Sequence, residues 1–259
     1  MIQSLDAMKG RVVVAPDGEI GTIADLYFDQ DGWTLRYLLV DSGEWLEGRR
    51  VLISPDALQD AGEDDDLVWV NVTREQVAQS PNVDLERPLT REDEGLLRGY
   101  YGWPLYWGGM SPLITGGVPD FPAVPVTGPD GEPRVTDNQP RFDQGAEPVQ
   151  REPGLQSFSE VQGYRINAND GHVGTLTDLL VDDSSGRVLY MVVDTGNLFA
   201  GRKVLLAPAW VEHISWAEKE VDVDLKSDSI RESPAYDADQ PFGTDEEDRL
   251  YRHYGKRRD

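Results

Sequence analysis

Two stretches of this chain carry the same pattern at a fixed separation. Residues 17–55 read DGEIGTIADLYFDQDGWTLRYLLVDSGEWLEGRRVLISP, and residues 170–208 read DGHVGTLTDLLVDDSSGRVLYMVVDTGNLFAGRKVLLAP. A gap-free shift of 153 residues superposes Asp17 on Asp170, Gly21 on Gly174, Asp25 on Asp178 and Asp29 on Asp182. The same shift superposes Tyr37 on Tyr190, Asp41 on Asp194, Arg49 on Arg202 and Pro55 on Pro208. Chance does not hold one register over so many positions, so the chain must fold as two equivalent halves.

The pattern inside each copy is that of short strands. Val12–Val14 leads into Pro16-Asp17-Gly18, a tight-turn signal because Gly supplies the positive φ that such turns require. Residues 20–28 form the next strand, with Gly21 inside it as the mark of a bulge or bend. After a turn at Asp29-Gln30-Asp31-Gly32, residues 33–41 carry RYLLVD, apolar on both faces and therefore expected to be buried on both. Val51–Ile53 and the alternating run Val68, Val70, Val72 complete five or six strands in about 70 residues, the count of a small closed antiparallel barrel. Thr73-x-x-Gln76, Thr90-x-x-Asp93 and Thr244-x-x-Glu247 mark helix starts, and Leu96, Leu97, Tyr100 and Tyr101 are expected on one helix face.

The expected fold is mainly β: two small antiparallel barrels, each with short C-terminal helices, joined by a Pro/Gly-rich linker. The domains read as a first repeat over 1–103, the linker over 104–155 and a second repeat over 156–259. The linker's composition, rich in Pro and Gly, suits an extended, mobile tether.

Composition limits the partners. The formal charge is −24, and acid exceeds base in both copies, so phosphate backbones and anionic lipid surfaces are repelled. No apolar run approaches the roughly 20 residues of a membrane helix, and residues 1–11 lack the apolar region of a signal peptide. Cysteine is absent, which removes thiolate and disulfide chemistry. These readings predict a cytoplasmic protein that binds neither nucleic acid directly nor membrane.

The ordered succession of strand–DG–strand, xxGxxxDLxxD, YLLVDSG or YMVVDTG, and GRRVLISP or GRKVLLAP resembles the PRC-barrel domain, present twice. The resemblance covers roughly residues 4–103 and 157–256. It implies the compact β-barrel of the cytoplasmic part of the photosynthetic reaction-centre H subunit and of a ribosome maturation factor. It also implies kinship with free-standing bacterial proteins, some linked to stress responses, in which the barrel binds protein without chemistry of its own. The missing membrane helix and the acidic charge separate this chain from both named settings. The implied role is a non-enzymatic protein-binding adaptor or stress-associated scaffold. The alternatives are a ribosome-associated RNA-processing factor working through ribosomal protein, and a barrel sensing a cation or small ligand.

Candidate sites follow from what the copies share and what they do not. Asp25, Asp29, Asp41 and their counterparts suit turn and salt-bridge duty, with Arg49 and Arg202 as partners. A calcium loop starting at Asp29 would need Glu at its twelfth position, where Val40 stands. No catalytic motif occurs, no converging ionisable cluster is evident, and no metal or cofactor is expected. The aromatic run Tyr100, Tyr101, Trp103, Tyr106 and Trp107 belongs to the first copy alone and is the leading partner-binding candidate. The apolar loop tips Trp45-Leu46 and Leu198-Phe199 are the second, either as docking points or as the contact through which the two barrels pair within one chain or between chains.

Overall fold

A computed structural model describes residues 2–59, 66–83, 85, 87–107, 154–196, 202–240 and 242–257. Most of the expected linker, and Leu198 and Phe199, lie outside the described residues. The chain packs as two units, one of Met1–Asn82 with Gly154–Asp259 and the other of Val83–Pro153.

The first unit holds the strands of both repeats. In the first, β1 (Ile2–Ser4) and α1 (Leu5–Met8) precede β2 (Val12–Ala15), β3 (Gly18–Asp29), β4 (Thr34–Asp41), β5 (Arg50–Ile53), β6 (Leu67–Trp69) and α2 (Arg74–Gln79). The helix α3 (Arg91–Tyr101) belongs to the second unit. The second repeat runs β7 (Leu155–Ser157), α4 (Phe158–Val161), β8 (Arg165–Ala168), β9 (Gly171–Asp182), β10 (Val188–Asp194) and β11 (Lys203–Leu206). It finishes with β12 (Val211–Ser215), β13 (Glu220–Val223), α5 (Ser227–Arg231) and α6 (Thr244–Tyr254).

The fold is mainly β, but its sheets are mixed and open rather than antiparallel and closed. One follows the path β5-β4-β3-β2-β6 and the other β11-β10-β9-β8-β13-β12, and among the described residues neither path returns to its start. The β2–β6 and β8–β13 pairs are parallel. The reason lies at Pro55 and Pro208, each of which opens a 3₁₀ turn (Pro55–Ala57, Pro208–Trp210) after β5 or β11. That turn carries the chain on without reversing its sense in the ladder. The strand after it and the final strand are antiparallel to each other, so the final strand meets β2 or β8 in parallel.

Other sequence expectations are met locally. Tyr37, Leu38, Leu39 and Val40 are all buried, as a strand apolar on both faces requires. Val68, Val70 and Val72 are buried while Trp69 is exposed. Gly21 and Gly174 sit where β3 meets β4 and β9 meets β10. A Cβ would lie 1.9 Å from the Asp41 carbonyl oxygen at Gly21 and 2.3 Å from that of Asp194 at Gly174. Only glycine fits there; beside each, the register with β2 or β8 shifts by a bulge.

The first strand of each repeat pairs with the sheet of the other. Strand β1 lies antiparallel to β9, Ile2 opposite Asp182 and Ser4 opposite Leu180. Strand β7 lies antiparallel to β3, Tyr27 opposite Ser157 and Asp29 opposite Leu155. The helical turn after each strand goes with it: α1 packs on β9 and α4 on β3. Leu5 and Met8 of the first arm and Phe158 and Val161 of the second are buried. Each such side chain contributes about 1.5–3 kcal/mol. The hairpin ends also join, the Leu35 N–H donating to the Gly186 carbonyl and the Val188 N–H to that of Trp33 (2.8 and 2.7 Å).

Candidate functional site

The repeated aspartates are occupied by the fold. Asp17 accepts the Arg74 N–H at the start of α2 (2.8 Å), and Asp170 does the same for Ser227 at the start of α5 (2.7 Å). Asp41 and Asp194 accept the N–H two residues on, from Gly43 and Gly196. Asp29 accepts from Gly32 N–H and from Arg36 Nε, and Asp182 from Ser184 and Ser185. Hydrogen bonding to those two serines holds the Asp182 carboxyl down at about 2.

Asp25 and Asp178 fasten the exchanged arms. Ser157 Oγ donates to Asp25 at 2.5 Å, the Ser159 N–H at 3.0 Å and the adjoining Leu26 N–H at 2.8 Å. On the other side Ser4 Oγ donates to Asp178 at 2.5 Å, the Asp6 N–H at 3.0 Å and the Leu179 N–H at 2.7 Å. Each carboxylate thereby meets the first turn of an arm belonging to the opposite repeat. Burial still pushes the Asp178 carboxyl above its ordinary range, against the pull of its three donors. The arms also meet one another, Gln162 Nε2 donating to Asp6 (3.0 Å) and Lys9 Nζ lying 5.6 Å from the Phe158 ring centre.

Arg49 and Arg202 serve helix ends rather than the aspartates expected as their partners. The Arg49 guanidinium donates to the carbonyls of Ala78, Ser80 and Pro81, gathering the end of α2, and Arg202 donates to the Ser233 carbonyl after α5. A planar fork suits several convergent carbonyls. At α6 the cap is Gly243, one residue before the expected Thr244, with Glu246 accepting the Gly243 N–H (3.1 Å).

Trp45 is half-buried and held by its own repeat: its Nε1 donates to the Ile20 carbonyl (2.6 Å) and the Arg74 guanidinium covers its ring at 4.3 Å. Leu46 beside it is half-exposed.

In the second unit, Thr90 and Asp93 close a capping box at the start of α3, and Gly102 ends it in the left-handed conformation (φ 74°). The Trp103 N–H then donates to the Arg98 carbonyl, turning the chain back along the helix. Tyr101 stacks on Trp103 with ring centres 4.1 Å apart, and Tyr100 meets Tyr101 edge-on at 4.8 Å. Tyr106 meets Trp107 edge-on at 4.6 Å. Arg91 lies over both of these rings, at 5.2 and 4.5 Å, and Arg98 over Tyr106 at 5.1 Å. The Tyr106 hydroxyl donates to Glu94 (2.6 Å) and accepts from Arg91 (3.0 Å), while Arg91 also pairs with Glu94. Burial first, and then the Glu94 carboxylate, raise the Tyr106 phenol well above its usual range.

The face expected to carry Leu96 and Leu97 together is divided, because consecutive helical residues point about 100° apart. Leu97 is buried and Leu96 is 60% exposed. Leu105, just past the turn, is 54% exposed. Sequence reasoning had passed over Leu105, the Arg91–Glu94–Arg98 scaffold and the two arms. A signal for the arms existed: the same 153-residue shift relates Ser4 to Ser157 and Gly10 to Gly163.

Among the described residues no helix is long and apolar enough to cross a membrane, and no cluster of acids and histidines is arranged to hold a metal ion. A relative from Deinococcus radiodurans, described as an uncharacterized protein, is 28% identical over 88 residues, a stretch covering 34% of this chain and 31% of that protein. The family model of the PRC-barrel domain matches twice, over residues 5–77 and 156–230, more than half of the chain. Both matches take in an arm helix, the glycine–aspartate strand and the clamp arginine just described, and the chain belongs to the PRC-barrel domain family.

Proposed function

We propose that this tandem PRC-barrel chain is a non-enzymatic, cytoplasmic adaptor that binds protein through the segment from Leu96 to Trp107. The observation that carries the reading is a difference between the copies. On α3 and just past its end the chain presents exposed Leu96 and Leu105 beside a ring cluster fixed by two arginines. After α6 the corresponding chain runs Gly255-Lys256-Arg257, and Lys256 is tied to Asp224 (3.0 Å). What one copy has and the other lacks is not demanded by the shared fold. Rigid Tyr and Trp area carrying arginine is the composition of interface anchors; Trp103 is buried beneath it, while Tyr100, Tyr101, Tyr106 and Trp107 are half-exposed. The non-enzymatic part of the reading is supported by the repeated carboxylates, each spent on backbone or hydroxyl donors of the fold.

The test is affinity capture with the full chain and with a Leu96→Asp/Leu105→Asp variant of unchanged unfolding midpoint. Both substitutions fall on exposed side chains, so stability should hold within about 0.5 kcal/mol. The reading expects the variant to lose the proteins the parent retains. An identical set of retained proteins refutes it.

A second reading, a small-ligand sensor, has one observation in its favour. A cavity of about 150 Å³ lies between the segment after α5 and α6, lined by Leu205, Pro234, Tyr236, Phe242, Glu246 and Leu250. Dependence of the melting temperature on added small amines or aromatic acids would support that role, and a flat response would dismiss it.

A further inference from the structure

The exchanged arms imply a receptor for a short segment, twice. Both arms read aliphatic–Gln–Ser–apolar, Ile2-Gln3-Ser4-Leu5 and Leu155-Gln156-Ser157-Phe158. Both are received alike. A three-residue ladder forms on the edge of β9 or β3, the serine hydroxyl bonds to a half-buried or buried aspartate, and that aspartate takes an N–H from the arm's first helical turn. The apolar residue after the serine is fully buried in both cases. Affinity comes from main-chain pairing and specificity from a serine and an apolar anchor, the logic of strand addition.

Each arm is joined to its own repeat through a glycine at the same place in the copy, Gly10 (φ +82°) and Gly163 (φ +92°). At both, a Cβ would meet nothing within 4 Å, so the glycine is there for its backbone conformation and not for lack of room. A joint of that kind between an arm and the body it leaves is what segment exchange between copies requires.

We infer that the β9 edge with Asp178 is a docking site for the first arm of a second copy of this chain, so that two copies trade their Ile2–Met8 arms. The occupant is argued from identity: the segment that fills the site within one chain is present, with the same donors and anchors, in every other copy. Trading replaces each bond by its equal, so the balance between the closed monomer and the exchanged dimer is set by protein concentration against the effective concentration of the attached arm, on the order of millimolar. This inference does not depend on the Leu96–Trp107 surface.

Gln3 and Val181 stand directly opposite in the β1–β9 ladder, at a separation a disulfide can bridge, and the chain has no cysteine of its own. Full-length Gln3→Cys and Val181→Cys proteins are mixed in a glutathione redox buffer from about 10 µM up to about 1 mM, where protein concentration reaches the order of that effective concentration. Bonds are then mapped by mass spectrometry. The expected result is a disulfide between the two introduced cysteines that joins two chains, its yield rising with concentration. A Gln3→Cys/Val181→Cys double variant at low concentration is expected to close the same bond within one chain. If the double variant closes and the mixture gives no interchain disulfide between the two substituted positions at the highest concentration, exchange between copies is overturned. If the double variant does not close, the docking site itself is overturned.

Discussion

Replacing Asp25 by alanine tests whether the second arm is held where the bonds place it. Asp25 is 9% exposed and accepts three donors: Ser157 Oγ, the Ser159 N–H and the Leu26 N–H. Without the carboxylate, the Leu26 N–H loses its partner in a buried place, and the Ser159 N–H loses its own where water can in part replace it. Bonds to a charged acceptor contribute about 1.5–3 kcal/mol each, and an orphaned buried donor costs about 1–3 kcal/mol. The serine hydroxyl can turn elsewhere, so Asp25→Ala should cost about 3–5 kcal/mol. Ser157→Ala removes one bond to Asp25 and the cap on Glu160 N–H (3.1 Å), a loss of about 1–2 kcal/mol. The two positions are 132 residues apart. If they touch as described, the double variant should lose less than the sum, with a coupling of about 1–3 kcal/mol in urea unfolding at neutral pH. Additivity within about 0.5 kcal/mol would refute the exchange, because residues that do not meet do not couple. Ser4→Ala with Asp178→Ala should reproduce the coupling from the other side.

Gly174→Ala should cost about 3–5 kcal/mol, because its Cβ would sit 2.3 Å from a strand carbonyl that cannot retreat without parting β9 from β10. Gly10→Ala, strained by φ alone, should cost only about 1–2 kcal/mol; equal losses in thermal unfolding would dismiss the close-approach account. In α3, hydrogen bonding from Arg87 is the main cause that holds Asp93 down at about 2 against an ordinary 3.8. The folded form is thus the weaker proton binder, so this pair's contribution is complete above pH about 4 and disappears as pH falls toward about 2. A carboxyl ¹³C titration should place Asp93 near the lower value, and Arg87→Ala should return it toward the upper one. Asp178, raised by burial, has the opposite sign: its ionised form is the costly one, and that cost is relieved as pH falls through its raised value.

What could be read from the sequence was whatever leaves a local trace. The long strands, the Asp-Gly turns and the doubly buried RYLLVD run follow from residue type and period over eight or more positions. The capping boxes at Thr73 and Thr90 were legible because both partners lie within one turn. The arms were not, since three residues of strand carry no period and their partners lie on the far side of the chain. The parallel pairs escaped for a related reason: strand sense depends on whether Pro55 and Pro208 reverse the chain or carry it onward, and composition is the same either way. Charge alone points Arg49 toward acids, whereas its neighbours are carbonyls that a charge count does not register. Leu96 does not share the buried face of Leu97, because the pair straddles the boundary of that face.

The arms show how two halves stay matched while their sequences drift. Leu5 and Met8 fill one receiving site, and Phe158 and Val161 the other, all four buried. The ring is larger than leucine where valine is smaller than methionine, so the pair keeps its combined bulk although neither member is kept. A core tolerates that kind of exchange far better than a change in either residue alone, because total volume is conserved while single overpacking costs about 1–3 kcal/mol. The serine, the receiving aspartate and the hinge glycine show no such trade; they are the same residue in both copies. Bulk can be redistributed within a pocket, but a hydroxyl at 2.5 Å from a carboxylate has no substitute of different shape. The sites are therefore equal in the terms that decide whether an arm docks and unequal only in how its apolar weight is divided. That is the condition under which an arm from one copy would be accepted by another.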